Sequence, residues 1–330
     1  MMSPARTAAI FALSRGSERV PTLAPTTRMP LGAASIAASL TAGGFHARLI
    51  DMALRPGWSI GELAALFRKA PAVGISCMSD CPPDALKAVE IARAEGFRGP
   101  VVVGGPGATS CVDEIVSGWP GVECVVVGEG EDVALDVFSG PLAEKSLSGI
   151  AGIRTRGMAR SSSRERIKDL DALYLQPRYD RFLDSYGDVV PIETSRGCPY
   201  ACTFCDASAL WSGKRVRRSL ESVLREVTHH VELGYRRFHF LDDTLTASRS
   251  YALRLCEGLA ELPVTWHCSV RAEHLQPLLT DSLVDAGCVS VFVGIESGAE
   301  EVPPPTPEPA LAQIGSGPMN GSGQLPSRPM

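Results

Sequence analysis

Residues Thr194–Cys205 have the sequence TSRGCPYACTFC, which places three cysteines within eight positions. Cys198, Cys202 and Cys205 follow directly after an apolar stretch, Val189–Thr194, that predicts a strand. Three thiolates at this spacing can hold three irons of an iron–sulfur cluster and leave a fourth iron without a protein ligand. Two alternatives remain: a zinc site, for which the loop supplies no fourth Cys or His, and three unrelated core cysteines.

The chain on the C-terminal side of this loop alternates strands with helices. Strands predicted over Arg237–Leu241, Val264–Val270 and Val289–Ile295 are separated by stripes of apolar residues at helical spacing. Polar residues follow the successive strand ends, which is the layout of a βα barrel with its chemistry at the carboxyl ends of the strands. The pattern stops before Pro303–Met330, where eight Pro and four Gly predict a disordered tail.

The N-terminal part of the chain shows a separate alternation of strands and helices. Its pattern predicts an α/β fold, a doubly wound parallel sheet of Rossmann-like type with helices on both faces. The predicted strands are Thr7–Leu13, Ala47–Ile50, Ala72–Ser76, Val101–Val103 and Val122–Val127. We therefore expect a first domain over 1–140, a linker over 141–188, an incomplete barrel over 189–301 and a tail over 302–330.

Composition excludes several classes of partner. The net charge of -5, from 32 basic and 37 acidic residues, argues against nucleic-acid binding. The sequence contains no apolar run of the ~18 residues that a membrane helix needs. Ten cysteines in a chain without these features predict metal or redox chemistry in a reducing, cytoplasmic compartment. The basic run Lys214–Arg218 is interpreted as a solvated face.

The cysteine loop resembles that of the radical S-adenosylmethionine (SAM) superfamily, whose signature is C-x3-C-x-aromatic-C. Phe204 occupies the aromatic position. The resemblance implies that Cys198, Cys202 and Cys205 ligate a [4Fe–4S] cluster and that the remaining iron binds SAM. It also implies reductive cleavage of SAM to methionine and a 5′-deoxyadenosyl radical, with a flavodoxin- or ferredoxin-type protein supplying the electron.

The same resemblance implies a SAM site at the ends of the later strands. Asp242 and Asp243 correspond to the position that binds the ammonium group of SAM, where a carboxylate makes a charge-assisted hydrogen bond. Ser269 and Arg271 are expected to hold the ribose or the carboxylate, and Glu296 to contact the ribose. For each residue, the alternative is a solvated polar side chain at a strand end.

The first domain resembles the cobalamin-binding domain that precedes one class of radical SAM proteins. The similar stretches are Met29–Gly32, Ser76–Met78, Val103–Pro106, Val127–Glu131 and, in the linker, Ile167–Asp171. Small residues at these places would let the backbone approach a flat corrin closely. The implied contacts are Ser76, Met78, Gly104, Gly105, Gly128, Glu129 and Gly130. The D-x-H-x2-G motif is absent and His46 is the only histidine of the domain, so cobalamin is expected to bind without a histidine ligand.

This architecture implies an enzyme that uses cobalamin to transfer a methyl group to a carbon centre of a small-molecule substrate. Oxidative ring closure of the anaerobic porphyrin cyclase type is one alternative, and an inactive remnant that binds metal or corrinoid is another. Four barrel strands are found where the family core has six, so the activity of this chain alone stays open. A shortened relative and a barrel completed by a partner chain both explain this, and the unpatterned tail favours the first.

Overall fold

The structure is a computed structural model that describes residues 6–13, 29–54, 59–78, 83–139, 147–158, 164–173, 183–211 and 213–294. Two sheets, the first parallel except for its last strand and the second fully parallel, each have helices packed beside them and form two successive α/β units. Among the described residues, no helix combines the length and the apolar character that crossing a bilayer requires.

The first sheet has six strands in the order β2-β1-β3-β4-β5-β6. This is the flavodoxin-like doubly wound order with one strand added, and it confirms the predicted fold class. The strands are β1 (Arg6–Leu13), β2 (Phe45–Asp51), β3 (Val73–Cys77), β4 (Val101–Gly104), β5 (Cys124–Val126) and β6 (Ile153–Arg154). The last strand pairs antiparallel with β5 and lies within the stretch expected to be a linker.

Helices cover this sheet for reasons visible in the sequence. They are α1 (Leu31–Ala42), α2 (Ile60–Lys69), α3 (Pro83–Ala94), α4 (Pro106–Ser110), α5 (Val112–Gly118) and α6 (Glu131–Phe138). Helix α2 begins with a capping box in which Ser59 and Glu62 satisfy each other's backbone N–H groups. Helix α1 consists mostly of Ala, Ser and Gly, and these small side chains let it lie buried between the sheet and its neighbours.

The second sheet has four parallel strands in the order β12-β11-β10-β7. They are β7 (Val189–Ile192), β10 (Arg237–Phe240), β11 (Thr265–Val270) and β12 (Cys288–Val293), and a two-stranded ribbon is formed by β8 (Ser195–Arg196) and β9 (Val216–Arg217). The helices are α7 (Leu170–Leu173), α8 (Asp206–Trp211), α9 (Leu220–Glu232), α10 (Arg249–Ala260) and α11 (Pro277–Asp285). The four parallel strands of the described residues, alternating with helices, confirm the predicted α/β fold of the second unit.

Packing in the core of the second unit shows which side of the sheet each strand residue faces. Phe240 and Trp266 meet edge to face with ring centroids 5.1 Å apart on the helix side of the sheet. Because side chains alternate along a strand, His239 and His267 point to the other side, where their rings stack at 4.0 Å. The carboxyl ends of the same strands carry Asp242 and Arg271.

One interpretation from the sequence is only partly right. In the run Lys214–Arg218, Lys214 and Arg217 are exposed as expected of a solvated face, but Arg218 is 1% exposed and the side chain of Arg215 is also largely buried. Arg218 forms an ion pair with Glu226, which a charge at this depth requires. The predicted disordered tail and Glu296 lie outside the described residues.

Candidate functional site

The cysteine loop begins at the β8–β9 ribbon and is held there by Gly197. This residue has φ +92°, a conformation that glycine adopts without strain. A Cβ on Gly197 would also collide with the carbonyl oxygen of Lys214. After the first cysteine, the chain turns tightly, and the N–H of Cys205 donates to the carbonyl of Cys202 at 3.2 Å. The sequence thus folds the three cysteines into one compact loop before α8.

The three thiols have different surroundings. Cys198 is 8% exposed, and its Sγ lies 3.8 Å from the hydroxyl of Thr244. Cys202 is half-buried and its Sγ accepts a hydrogen bond of 3.4 Å from Nη1 of Arg271. Cys205 is also half-buried. A guanidinium donor such as that of Arg271 is the kind of outer partner that stabilises a thiolate ligand.

No group of three His, Cys, Asp or Glu side chains in the described ranges converges on the position of one metal ion. Each thiolate of a cubane cluster binds a different iron, so cluster ligands need not meet at one point, and the three cysteines of the loop remain the candidate ligands.

A histidine fixes the middle of the cysteine loop. The Nε2 of His274 lies 2.7 Å from the hydroxyl of Tyr200, and its Nδ1 lies 2.8 Å from the hydroxyl of Thr246. The guanidinium of Arg271 stacks over the Tyr200 ring at 4.2 Å. Desolvation lowers the pKa of His274, which favours the neutral ring that can donate on one side and accept on the other. The loop is thereby tied to the carboxyl end of β11.

The two adjacent aspartates differ sharply. Asp242 is buried and accepts hydrogen bonds from the N–H and the hydroxyl of Thr194, at 3.0 and 2.6 Å, and from the hydroxyl of Ser195. Arg215 Nη2 lies 3.8 Å from the same carboxylate. Asp243 is exposed to solvent. Partial desolvation of its carboxyl group and the neighbouring charge of Asp242 raise the pKa of Asp243. Asp243 is thus the accessible carboxylate of the pair, whereas the oxygens of Asp242 are engaged inside the protein.

The remaining residues expected to bind SAM are placed as follows. Phe204 projects from the loop and is 67% exposed. Ser269, near the end of β11, is half-buried on the barrel side of the sheet. Arg271 follows the strand, and besides Cys202 it contacts Glu273 at 2.6 Å. Glu296 lies outside the described residues.

A cavity of about 540 Å³ opens at the carboxyl edge of the first sheet. All the residues that resemblance assigned to cobalamin line it: Ser76, Met78, Gly104, Gly105, Gly128, Glu129 and Gly130. Residues 29–33 at the start of α1 form another wall. The volume lies within the usual range for ligand cavities, ~300–1,000 Å³.

Glycines shape the floor of this cavity. Gly105 has φ +97°, and a Cβ there would collide with the carbonyl oxygen of Cys77, so only glycine fits. At Gly32 and Gly128, nothing lies within 4 Å of where a Cβ would be. Side chains at these two places would occupy the free space, so their absence keeps the cavity open and exposes backbone. Thr109 joins the loops by accepting from the N–H of Gly128 at 3.0 Å.

The second unit supplies the opposite wall. Glu193, Arg196, Leu210, Trp211 and Leu241 line the cavity from β7, β8, α8 and the end of β10. Sequence reasoning assigned none of them a role. The only indication of a role for one of these residues in the sequence was the position of Arg196, two residues before Cys198. The sequence does not show which carboxylates the guanidinium of Arg196 contacts. The cavity wall thus includes residues on both sides of the cysteine loop in the chain, Arg196 before it and Leu210 and Trp211 after it.

The described lining of the cavity is mostly apolar or small. Its floor is backbone and small residues, and its charged side chains are those of Glu129, Glu131, Glu193 and Arg196. Polar groups are confined to a few positions, as in most cofactor sites.

Comparison with known proteins agrees with this geometry. The B12 binding domain family matches residues 24–138, and the Radical SAM superfamily matches residues 192–314. The chain is a radical SAM protein with an N-terminal B12-binding domain. This confirms the family that the cysteine spacing and the glycine-rich strand ends indicated.

Two curated relatives and one solved structure are similar to this radical SAM protein. The uncharacterized methyltransferase PH0819 of Pyrococcus horikoshii is 31% identical over 84% of this chain and 62% of its own length. The anaerobic magnesium-protoporphyrin IX monomethyl ester cyclase of Rubrivivax gelatinosus is 24% identical over 82% of this chain and 52% of its own length. The solved structure is that of the methyltransferase TsrM of Kitasatospora setae with cobalamin and a [4Fe–4S] cluster bound. It superposes on 88% of this chain and 61% of the TsrM chain, with a TM-score of 0.67 and 19% identity, which shows a similar fold. The chain spans about three fifths of the PH0819 protein.

Proposed function

We propose that this chain holds the cofactor-binding core of a cobalamin-dependent radical SAM methyltransferase. The observation that carries the proposal is a cavity lined by the carboxyl ends of both sheets, with Arg196, two residues before Cys198, in its wall. Ligands of doubly wound sheets bind at this edge, and so do those of βα barrels. Two cofactors bound there would face the same enclosed space.

In this proposal, Cys198, Cys202 and Cys205 ligate the [4Fe–4S] cluster. When bound, the cluster supplies one electron to SAM, and the cobalamin supplies a methyl group to the substrate. The guanidinium of Arg271 donates to Cys202 and offsets part of its charge, and the hydroxyl of Thr244 contacts Cys198.

Asp243 is proposed to bind the ammonium group of SAM, since its carboxylate is exposed at the strand end. Asp242 then serves to hold the first residues of the cysteine loop through Thr194 and Ser195. Ser269, Glu296 and the exposed ring of Phe204 remain proposed contacts of SAM.

Arg271 also remains a proposed SAM contact, beside its hydrogen bond to Cys202. For cobalamin, the proposed contacts are Ser76, Met78, Gly104, Gly105, Gly128, Glu129 and Gly130, all of which line the cavity. These residues, with Trp211 and Leu241 opposite, would exclude water from the reacting face. Binding is proposed without a histidine ligand.

Methyl transfer is favoured over ring closure because the methyltransferase relative is the more similar, at 31% against 24% identity over similar shares of this chain. The substrate is proposed to be a small molecule, and the electron donor a flavodoxin or ferredoxin. The nine cysteines of the described ranges are thiols, which suits a reducing, cytoplasmic compartment. The proposed boundaries are 1–140, 141–188, 189–301 and 302–330.

The test is anaerobic reconstitution of the full chain with iron, sulfide and hydroxocobalamin, followed by dithionite and SAM labelled in its methyl group. The expected results are a cluster spectrum, corrinoid retained on gel filtration, 5′-deoxyadenosine and label on the corrinoid. Cluster and corrinoid without deoxyadenosine or label would support the remnant, and deoxyadenosine without label would favour the cyclase. A chain that binds neither group would overturn the proposal.

A further inference from the structure

Arg196 joins the two domains through three carboxylates. Its Nη2 donates at 2.7 Å to Glu131, the first residue of α6, and its Nη1 at 3.2 Å to Glu129 in the loop between β5 and α6 of the first domain. Its Nε donates to Glu193 at 2.8 Å, at the end of β7 in its own domain. The planar guanidinium thus uses all three of its nitrogens to bridge the interface.

These charges are removed from water. The side chain of Arg196 is 8% exposed, and those of Glu129 and Glu131 are 8% and 6% exposed. A buried carboxylate is stable in its charged form only with a cation and hydrogen-bond donors beside it. Separating the domains or removing the guanidinium would therefore leave two carboxylates to be solvated or protonated.

A second arginine, Arg166, forms a hydrogen bond with the backbone of Arg196. Arg166 lies 3.7 Å from Glu129 and donates to the carbonyl oxygens of Arg196 at 3.3 Å and Lys214 at 2.8 Å. Its guanidinium stacks over the ring of Trp211 at 4.4 Å. Since Arg196 and Lys214 flank the start of the cysteine loop, this arginine ties the same carboxylates to the ribbon from which the loop departs.

The network is also part of the cavity wall. Glu129, Glu131, Glu193 and Arg196 all line the cavity, and Ser35 of α1 donates to Glu131 at 3.3 Å. A ligand that fills the cavity would cover these groups and exclude water from them. Ion pairs strengthen when water is excluded, so occupancy would tighten the hold on Arg196.

We propose that Arg196 is a positioning residue that couples occupancy of the cavity to the order of the cysteine loop, so that corrinoid binding slows loss of the cluster. This rests on the proposed function, since it presumes a cluster on Cys198, Cys202 and Cys205. At equilibrium the linkage is reciprocal: whatever factor corrinoid adds to the affinity for the cluster, the assembled cluster adds to the affinity for corrinoid.

The experiment measures loss of cluster absorbance to an iron chelator in the reconstituted full chain, with and without saturating hydroxocobalamin. The wild type should lose its cluster at least about fivefold more slowly with corrinoid, within the range usual for coupled sites. In Arg196→Met, that ratio should approach one although the cluster still assembles, and Arg196→Lys should restore part of it. The electron paramagnetic resonance spectrum of the reduced cluster should shift on corrinoid addition in the wild type and not in Arg196→Met.

Two further variants guard against a purely structural effect. Arg93→Met removes a comparably paired arginine, 2.7 Å from Glu123 and away from the interface, and should keep the wild-type ratio. Glu131→Gln removes a partner of Arg196 that belongs to the first domain. It should lower the ratio of the cluster-loss rates without and with corrinoid, and it tests the proposal even if Arg196→Met does not fold. An unchanged ratio in both Arg196→Met and Glu131→Gln, or a ratio of one in a wild type that binds both groups, would overturn the inference. A wild type that assembles no cluster would instead refute the proposed function, and this inference with it.

Discussion

Replacing Asp242 by asparagine separates its structural role from SAM binding. Asp242→Asn keeps the shape but removes the charge and turns one acceptor oxygen into a donor. In the structure, one oxygen accepts from the N–H of Thr194 and the other from two hydroxyls. The amide can satisfy only one side, so a buried donor loses its partner while Arg215, 3.8 Å away, loses its counter-charge.

The expected cost follows from these contacts. The two hydroxyl hydrogen bonds to one oxygen of this buried charged group, each contributing about 1.5 kcal/mol or more, give about 3 kcal/mol. Breaking a buried ion pair independently gives about 3–5 kcal/mol. Because proteins are stable by only about 5–15 kcal/mol, Asp242→Asn should lower the free energy of unfolding by a large fraction. Asp243→Asn, at an exposed position, should change it by less than about 0.5 kcal/mol.

The two variants should affect SAM in the opposite order. Loss of a charge-assisted hydrogen bond weakens binding by about tenfold or more, so Asp243→Asn should raise the dissociation constant of SAM by that amount. Urea unfolding followed by circular dichroism measures the first effect, and equilibrium dialysis against the reconstituted protein measures the second. If Asp242→Asn unfolded like the wild type and lost SAM binding while Asp243→Asn kept it, our assignment of the pair would be refuted.

Three further predictions concern the cluster, the cavity and the buried histidine. Cys202→Ala should abolish the visible spectrum of the reconstituted cluster, whereas Cys256→Ala, whose buried thiol has a pKa raised to about 12, should retain it; an unchanged spectrum in the first would refute the ligand assignment. Gly32→Leu should reduce corrinoid retention on gel filtration at least about tenfold by filling the cavity, while Gly61→Leu, at the same position of helix α2, should not; equal retention would place the corrinoid elsewhere. Desolvation lowers the pKa of His230 to about 4 in the folded chain, so the unfolded chain binds the proton first, and stability should fall by up to about 3 kcal/mol as the pH drops from about 6.5 to 4. Urea titrations across that window should show a smaller fall in His230→Asn, and equal slopes would contradict this origin.

The positions of the strands and of the polar residues at their ends could be predicted from the sequence, because the periodicity of apolar residues is a local property. The barrel strand over Arg237–Leu241 and the cysteine loop were placed within a residue or two of where the structure has them. Cysteine spacing and strand ends are also local, so the glycines that line the cavity could be assigned by resemblance. The ligand roles themselves remain predictions.

Long-range electrostatics could not be predicted in the same way. Arg215 and Arg218 stand in a run that is polar in sequence, and only the fold shows that each meets a carboxylate in the interior. The strand β6 was also missed, because two residues carry too little pattern to be recognised and its pairing with β5 is a tertiary event. The contrast between Asp242 and Asp243 likewise depends on which of two neighbours points inward.

The shared wall of the cavity has a consequence for how such proteins can evolve. Trp211 and Leu241 belong to the second domain, yet they close the space above the floor of the first. If the first domain were fused to an unrelated domain, the fusion protein would lack the wall that Trp211 and Leu241 provide, and the cavity would be an open groove. Exchange of domains between such genes is therefore constrained to partners that bring a matching surface, so the two halves are inherited as a unit.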